Sequence, residues 1–546
     1  MKASELLVRC LEHEGVELIF GLPGEETLAV TDALADSRIR FIPVRHEQGA
    51  AFMADVYGRL TGRAGVCLAT LGPGATNLVT GVADANLDRA PVVALTGQAG
   101  RDRVHKESHQ YVDIVDLFRP ITKWNSRIEV GRVIPEVVRK AFKLAQTEKP
   151  GACHLELPED VADESVEATA QPLSTERPRR PSPDRPALRQ AAELIDRARR
   201  PLIFAGNGVI RGNASAALCV FSQTIGLPLV NTFMAKGCVP AASELSLGTV
   251  GLQVRDYVSC GFDRADLVLA VGYDPVEYAP TFWNPERDKT IIHLDFTPAE
   301  VDSHYQPAVE VVADIREALD LLTDLCRVRR DPAPSRLLHE WIQKELDEGS
   351  TDDGFPIKPQ RILHDVRSVL APSDLVISDV GAHKLWVARL YPAGEPNTVL
   401  ISNGFAAMGI ALPGAVAAKL VAPERRVLAI SGDGGVLMNV QELETAVRLG
   451  LNIVTLIFRD DAYGSIRMKQ LTRYGRELGV AFGNPDFVRL AEAFGAAGIR
   501  VEKAGELIPA LKSAFSSPRP VVLEVPVDYR ENLKLTERMG QIVCPV

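Results

Sequence analysis

Over most of its length the chain alternates between short apolar runs that end in glycine and longer stretches with apolar residues at helical spacing. In the first third, RFIPV (40–44) leads into HEQGAAFMADVYGRLTG, GVCLATL (65–71) leads into GPGATNLVTGVADANL, and PVVALTG (91–97) follows. Runs that are apolar at every position suit strands covered on both faces, and the stretches between them supply the covering helices. The pattern predicts an α/β chain of doubly wound parallel-sheet domains. A second set of runs is PLIFAG (201–206), DLVLAVG (266–272) and TIIHLDF (290–296). A third is DLVISDVG (374–381), RVLAISGDGG (426–435), NIVTLIFRDD (452–461) and PVVLEVPV (520–527). Between the sets the rhythm breaks. QPLSTERPRRPSPDR (172–186) has X-Pro steps that continue neither a helix nor a ladder, and RRDPAPSR (329–336) with the acidic DEGSTDDGFP (347–356) marks a second break. These breaks suggest an N-terminal domain over 1–168, a linker over 169–188, a middle domain over 189–328, a second linker over 329–357, a C-terminal domain over 358–532 and a tail over 533–546. Three domains suit 546 residues at roughly 100–200 each. The first and third share one style of open parallel sheet, as two related domains facing each other would.

Composition narrows the class. With 46% hydrophobic, 24% charged and 6% aromatic residues the chain is an ordinary globular one, which excludes disordered, collagen-like and coiled-coil readings. Sixty-one basic against 71 acidic residues leave a formal charge of −10, which offers no field for nucleic acid or an anionic membrane. No apolar run reaches the roughly 20 residues that cross a bilayer, and MKASELLVRCLEHEGVELIF lacks the apolar core of a signal peptide. Eight cysteines (Cys10, Cys67, Cys153, Cys219, Cys238, Cys260, Cys326 and Cys544) are scattered without a C-x-x-C, and the ten histidines form no metal-ligand cluster. Small buried thiols in a reducing compartment fit this usage, so a cytoplasmic enzyme or large binding protein is expected.

RVLAISGDGGVLMNVQELETAVRLGLNIVTLIFRDDAYG (426–464) parses as strand, glycine turn, helix and strand. Such crossovers are right-handed, so both strands end at one edge of the sheet, placing Asp433 and Asp460 there with a helix start beyond Gly434 and Gly435. Two carboxylates beside free N–H groups suit a hard divalent cation bridging to a phosphate. The same residues also read as a tight turn with Asp as an N-cap. Glu47, beside His46 at a strand-to-helix junction, is either a dipole-favoured helix start or a buried carboxylate meeting a ligand nitrogen. LGPGATN (71–77) allows close backbone approach but alone reads as a turn. Met408, amid small residues in ISNGFAAMGIALPGAVAAK (401–419), reads as a core gap-filler. His109 and Gln110, in the polar RDRVHKESHQYVD, read as surface loop. G-N-G at 206–208 is followed by no G-x-G-x-x-G, so a dinucleotide fingerprint is missing from the middle domain and an NAD-dependent oxidoreductase is not favoured.

Taken in order, these segments resemble the thiamine diphosphate (ThDP) enzymes of the acetolactate synthase group. The resemblance covers nearly the whole chain and is carried by GLPGEE (21–26), RHEQGAAFMADVYGRLTG (45–62), LGPGATNLVTGVA (71–83), MGIALPGA (408–415), SGDGGVLMNVQELETAVRLGLNIV (431–454), GVAFGNPDFVRLAEAFGAAG (479–498) and PVDYRENL (526–533). It implies a pyrimidine-binding N-terminal domain, a middle domain and a diphosphate-binding C-terminal domain. It also implies that Asp433, the Asp460 side chain and the carbonyl of Ala462 hold Mg²⁺, with Asp460 replacing the family's frequent Asn but keeping an oxygen ligand. Gly381, Ala382, His383, Gly434 and Gly435 would help cradle the diphosphate, and Gly432, Tyr463 and Gly464 would also bind the cofactor. Met408 would bend the cofactor, the Ala406 carbonyl would accept from its 4′-amino group, and Glu47 would meet the pyrimidine N1′. Bending brings the acting nitrogen close to the thiazolium carbon, a proximity effect worth several kcal/mol.

The implied activity is a 2-oxo acid carboligase that decarboxylates pyruvate and joins the remainder to a second pyruvate, giving 2-acetolactate. A ThDP-dependent decarboxylase, or a C–C lyase with another substrate, would use the same core. His109 and Gln110 would lie at the substrate end. Active sites would sit at the subunit interface of a homodimer or homotetramer, with Glu47 from one copy and the Mg²⁺ site from the other. VGYDPVEYAPTFWN (271–284) is nearer FAD-independent catabolic enzymes than FAD-binding biosynthetic ones, so FAD is not expected. GLPGEE departs from the catabolic pattern, which has a basic residue near Glu25 and Glu26.

Overall fold

The computed structural model describes residues 1–176, 179–251 and 257–532. The 533–546 tail, with Cys544, lies outside the described residues. Three six-stranded sheets follow one another along the chain, and all strand pairs within them are parallel. The first sheet runs, edge to edge, Arg40–Pro43, Leu18–Gly21, Gly65–Ala69, Val92–Gln98, Ala152–Pro158 and Trp124–Arg127. The third runs Val399–Ile401, Leu375–Ser378, Val427–Gly432, Val454–Arg459, Val521–Pro526 and Ala497–Arg500. Counted within each domain, both have the order 2-1-3-4-6-5. The middle sheet runs Val309–Val312, Thr290–Asp295, Leu267–Val271, Pro201–Ala205, Leu229–Asn231 and Ser246–Thr249, which is 6-5-4-1-2-3.

The fully apolar runs became the inner strands. Gly65–Ala69, Val92–Gln98, Pro201–Ala205 and Leu267–Val271 are buried at every position, as strands covered by helices on both faces must be. The two breaks are not wholly unstructured. Helix Arg185–Arg197 starts inside the first, with Asp184 capping Ala187 N–H and Pro186 in the first turn, where its missing N–H costs nothing. Helix Ala333–Asp347 occupies much of the second and buries Leu338 and Ile342 against the aromatic core of the middle domain. Both begin with proline in the first turn, so a proline-rich stretch marks a helix start there as much as a linker.

The outer domains share one hydrophobic core. Helix Glu47–Thr61 of the first packs on Ala411–Val421 of the third and on Pro73–Leu87 of its own domain, with Phe52, Val56, Leu78, Ala411, Ala415 and Val416 in one cluster. Small side chains permit the close approach: a Cβ on Gly414 would stand 2.9 Å from Val56 Cγ2. A buried carboxylate fixes the register, since Glu442 Oε1 accepts from Arg45 N at 3.0 Å and His46 N at 3.1 Å. No helix among the described residues is long and apolar enough to cross a membrane.

Gly65 opens its strand directly against the Glu47–Thr61 helix, and a Cβ there would fall inside the radius of the Ala54 carbonyl oxygen. Gly65→Ala is expected to lower stability by about 1–3 kcal/mol through overpacking. Urea unfolding followed by circular dichroism checks this, and an unchanged midpoint would contradict the packing described.

Candidate active site

In the third sheet the strand order reverses between Leu375–Ser378 and Val427–Gly432, and open α/β sheets bind ligands outside the carboxyl ends of strands at such a point. A cavity of about 360 Å³ lies there. Gly381, Ala382 and His383 enter it after the first of these strands, and Gly432, Asp433, Gly434 and Gly435 after the second. Asp460, Ala462, Tyr463 and Gly464 come from the end of Val454–Arg459, and Ala406 and Met408 from the loop after Val399–Ile401. All thirteen C-terminal residues singled out from the sequence therefore line one space.

Its electrostatics centre on Asp433. Oδ1 accepts from Gly434 N at 2.9 Å, and Oδ2 accepts from Asp460 N at 3.1 Å, Asp461 N at 2.7 Å and Asn484 Nδ2 at 2.9 Å. The residue at the N-cap position is Gly432, so Asp433 is not the cap of its short helix but the tie between two strand ends. Burial raises its pKa against those hydrogen bonds. Asp460 is pushed up to about 7, first by burial and then by the charge of Asp433. Two crowded carboxylates of this kind are what a divalent cation relieves, and the Ala462 carbonyl, which accepts from Gly464 N at 2.9 Å, adds a third oxygen nearby.

The remaining walls suit an anion. His383 is buried and held neutral, its pKa pushed down to about 3 by burial, and its Nε2 has no hydrogen-bond partner among the described residues. The Tyr529 hydroxyl on the same wall is likewise buried and unmatched. Orphaned buried polar atoms facing a cavity call for a ligand. A Cβ on Gly434 would stand 2.8 Å from the Tyr463 ring, and one on Gly435 2.8 Å from Asp379 Oδ2, so bare backbone is all that fits there. Ala406 has φ of +60°, a left-handed backbone rare for a residue with a Cβ and typical of ligand-gripping positions.

The sequence reading passed over several residues. Asp379 is fully enclosed; its Oδ2 accepts from Ser431 Oγ at 2.7 Å and its Oδ1 from Val380 N and Gly409 N, each at 2.7 Å. It ties both switch-point strands to the loop bearing Met408. Lys384 is buried on the cavity wall, donating to Ser402 O and Asn403 Oδ1 at 3.2 Å, and burial lowers its pKa to about 8. Asn484 and Tyr529 lie in segments quoted above without roles, and the only available signal was their place in those segments.

Glu47 lies elsewhere. It is the first residue of helix Glu47–Thr61, whose N-cap is His46, with Nδ1 accepting from Gln48 N at 3.1 Å. Its side chain is buried at 6% exposure, and its Oε2 accepts from Asn77 Nδ2 at 2.9 Å. A Cβ on Gly74 would stand 3.3 Å from its Oε1. Gln110, also left-handed at φ +57°, lays its backbone against Gly72, and His109 and Gln110 are exposed. Glu47, Asn77, Gly72, Gly74 and Gln110 thus gather at the switch-point edge of the first sheet and do not line the C-terminal cavity of their own chain.

Comparison with known proteins matches this arrangement in order along the chain. The family described as thiamine pyrophosphate enzyme, N-terminal TPP binding domain, matches residues 1–117; the central domain matches 188–322; and the C-terminal TPP binding domain matches 379–525. The chain is 38% identical over 561 residues to an acetolactate synthase of Bacillus subtilis (strain 168), covering 99% of this chain and 97% of that protein. It is 38% identical over 545 residues to a catabolic acetolactate synthase of Raoultella terrigena, again covering 99% and 97%. A probable acetolactate synthase large subunit of Methanocaldococcus jannaschii is 37% identical over 569 residues, covering 100% of this chain and 96% of that protein. With all three domains matched and relatives aligned along nearly their whole length, the chain belongs to the acetolactate synthase family of thiamine pyrophosphate enzymes and is a ThDP-dependent enzyme.

Proposed function

We propose that the enzyme is a Mg²⁺-dependent 2-oxo acid carboligase that decarboxylates pyruvate and joins the remaining two-carbon unit to a second pyruvate, giving 2-acetolactate. The observation that carries this reading is the convergence of Asp433, Asp460 and the Gly381–His383 turn on one cavity at the sheet's switch point. Bound ThDP supplies the carbon nucleophile and electron sink for the cleavage and the new bond. Asp433, Asp460 and the Ala462 carbonyl would hold Mg²⁺ against its diphosphate. Gly381, Ala382, His383, Gly432, Gly434, Gly435, Tyr463 and Gly464 would surround the phosphates with backbone N–H groups and a neutral imidazole. Met408 and the Ala406 carbonyl would take the ring end. Glu47, held by Asn77, would keep a proton at the pyrimidine N1′ as general acid–base partner.

Because Glu47 does not line its own chain's cavity, we assign the complete site to two copies in a homodimer or homotetramer. Exposed apolar side chains beside the cavity, Phe405, Met438, Tyr463 and Ile466, support this by offering a face for the second copy. His109 and Gln110 would then reach the substrate end, with small 2-oxo acids as the molecules bound. An FAD-independent enzyme is proposed as well. At the middle sheet's switch point the Asn207 N–H of the G-N-G turn is already taken by Glu277, at 3.0 and 3.2 Å to its two oxygens. A cytoplasmic location completes the reading.

Glu47→Gln is expected to lower turnover by about 10²–10⁴-fold while circular dichroism and melting stay at wild-type values. Near-normal activity would remove the role given to Glu47. Asp433→Ala is expected to abolish Mg²⁺-dependent ThDP binding by calorimetry, and unchanged affinity would count against the cation site. Incubated with pyruvate, ThDP and Mg²⁺, the purified enzyme is expected to yield 2-acetolactate and to show no flavin absorbance. Acetaldehyde without acetolactate would replace the carboligase reading with a decarboxylase, and a yellow enzyme would overturn FAD independence.

A further inference from the structure

Away from the cavity, four charged side chains are buried where helices Glu47–Thr61 and Pro73–Leu87 meet the C-terminal domain. Arg59 Nε donates to Asp55 Oδ1 at 2.6 Å, its Nη2 pairs with Asp88 Oδ2 and stands 3.7 Å from Asp84 Oδ2, and its Nη1 donates to Ile401 O at 3.0 Å. The side chains of all three aspartates are completely enclosed. The Arg59 guanidinium, even with Lys384 close enough to feel Asp84 and Asp88, does not balance three carboxylates, and an uncompensated buried charge is costly, so the cluster must hold a proton. Two atoms identify its place. Asp55 Oδ2 and Asp84 Oδ2 are buried with no hydrogen-bond partner among the described residues, and both carboxyls converge on the Arg59 guanidinium. A single proton between them satisfies both. Burial and the charge of Asp88 push Asp84 far up, and burial pushes Asp55 up to about 6, in keeping with that sharing.

The other oxygens of the cluster face the loop that leads into the cavity. Asp84 Oδ1 accepts from Ser402 Oγ at 2.7 Å and from Ala407 N at 3.1 Å. Asp88 accepts from Asn403 N at 3.2 Å and from Gly404 N. Residues 402–407 are therefore held by the first domain at four donors, and Asn403 Nδ2 donates to Glu277 O of the middle domain as well. This loop contains Ala406, with its left-handed backbone, and ends beside Met408.

We propose that Asp84 and Asp88, with Arg59 and a proton shared between Asp55 and Asp84, are positioning residues that set the loop gripping the ring end of the cofactor. The proposal rests on the ThDP reading above, since it is the ring end whose grip they set. Their direct hydrogen bonds end on the loop, and the diphosphate wall that Asp379 and Asp433 hold together takes none of them.

The test is calorimetric, with ThDP and with inorganic pyrophosphate, each in the presence of Mg²⁺. Asp84→Ala and Asp88→Ala are expected to weaken ThDP by about tenfold or more, the loss of hydrogen bonds to charged groups, while pyrophosphate affinity stays at wild-type value. Asp84→Asn is expected to keep ThDP affinity within about threefold, because an amide accepts from Ser402 and Ala407 and donates to Asp55 as the protonated acid does. Ser402→Ala, which removes one contact and leaves the buried charges intact, is expected to weaken ThDP measurably and serves if the alanine variants of the aspartates do not fold. Unchanged ThDP affinity in Ser402→Ala and in the folded alanine variants, or equal loss of ThDP and pyrophosphate, would overturn the positioning role. Asp84→Asn behaving like Asp84→Ala would overturn the shared proton. A wild-type enzyme that binds pyrophosphate with Mg²⁺ but not ThDP would instead overturn the cofactor reading, and this proposal with it.

Discussion

Asp379 accepts from Ser431, Val380 and Gly409, and Asp433 accepts from Gly434, Asp460, Asp461 and Asn484. Between them these two buried carboxylates bind four loops at the carboxyl edge of one sheet. A parallel sheet sends every such loop out at the same edge, and each leaves backbone N–H groups that need acceptors. Carboxylates supply them at close range, but at the expense of burying charge. The same acids that hold the cavity together thus make it a place where a cation and an anionic ligand are welcome. Architecture and chemistry share one set of atoms here.

The outer domains show the same strand order yet carry opposite equipment. The first presents a single buried acid, Glu47, backed by Asn77; the third presents paired acids, glycine turns and a neutral histidine. Their helices pack into a common core. Helix Pro73–Leu87 spans both needs: Asn77 near its start braces Glu47, while Asp84 and Asp88 towards its end hold the loop of Ala406. Small-residue packing between the outer domains therefore governs more than stability, because it fixes how Glu47 and the cavity stand relative to one another.

Much of this was legible in the residues. Inner strands announced themselves as unbroken apolar runs, and the G-D-G turn followed by a second strand-end aspartate announced the cavity. Several edge strands did not. Trp124–Arg127 is half-buried at every position and Ala497–Arg500 nearly so, and neither has the apolar density that marks a covered strand. Helix Ala333–Asp347 was hidden because its proline and charged flanks resemble those of a linker. Asp379, Asp84 and Asp88 were passed over because an isolated aspartate says nothing about its partners, and the two hydrogen-bond donors to Asp84 lie more than 300 positions away.

What the residues alone determined was local: where strands and helices form, which turns are bare enough for a ligand's approach, and which acids stand at strand ends. These follow from side-chain periodicity and glycine, whose effects reach only a few positions along the chain. What the tertiary structure decided was which acids line the cavity, which are buried together around one arginine, and that Glu47 lies outside the lining of the C-terminal cavity. Those outcomes depend on burial and on through-space contact, and both are set by how the domains pack.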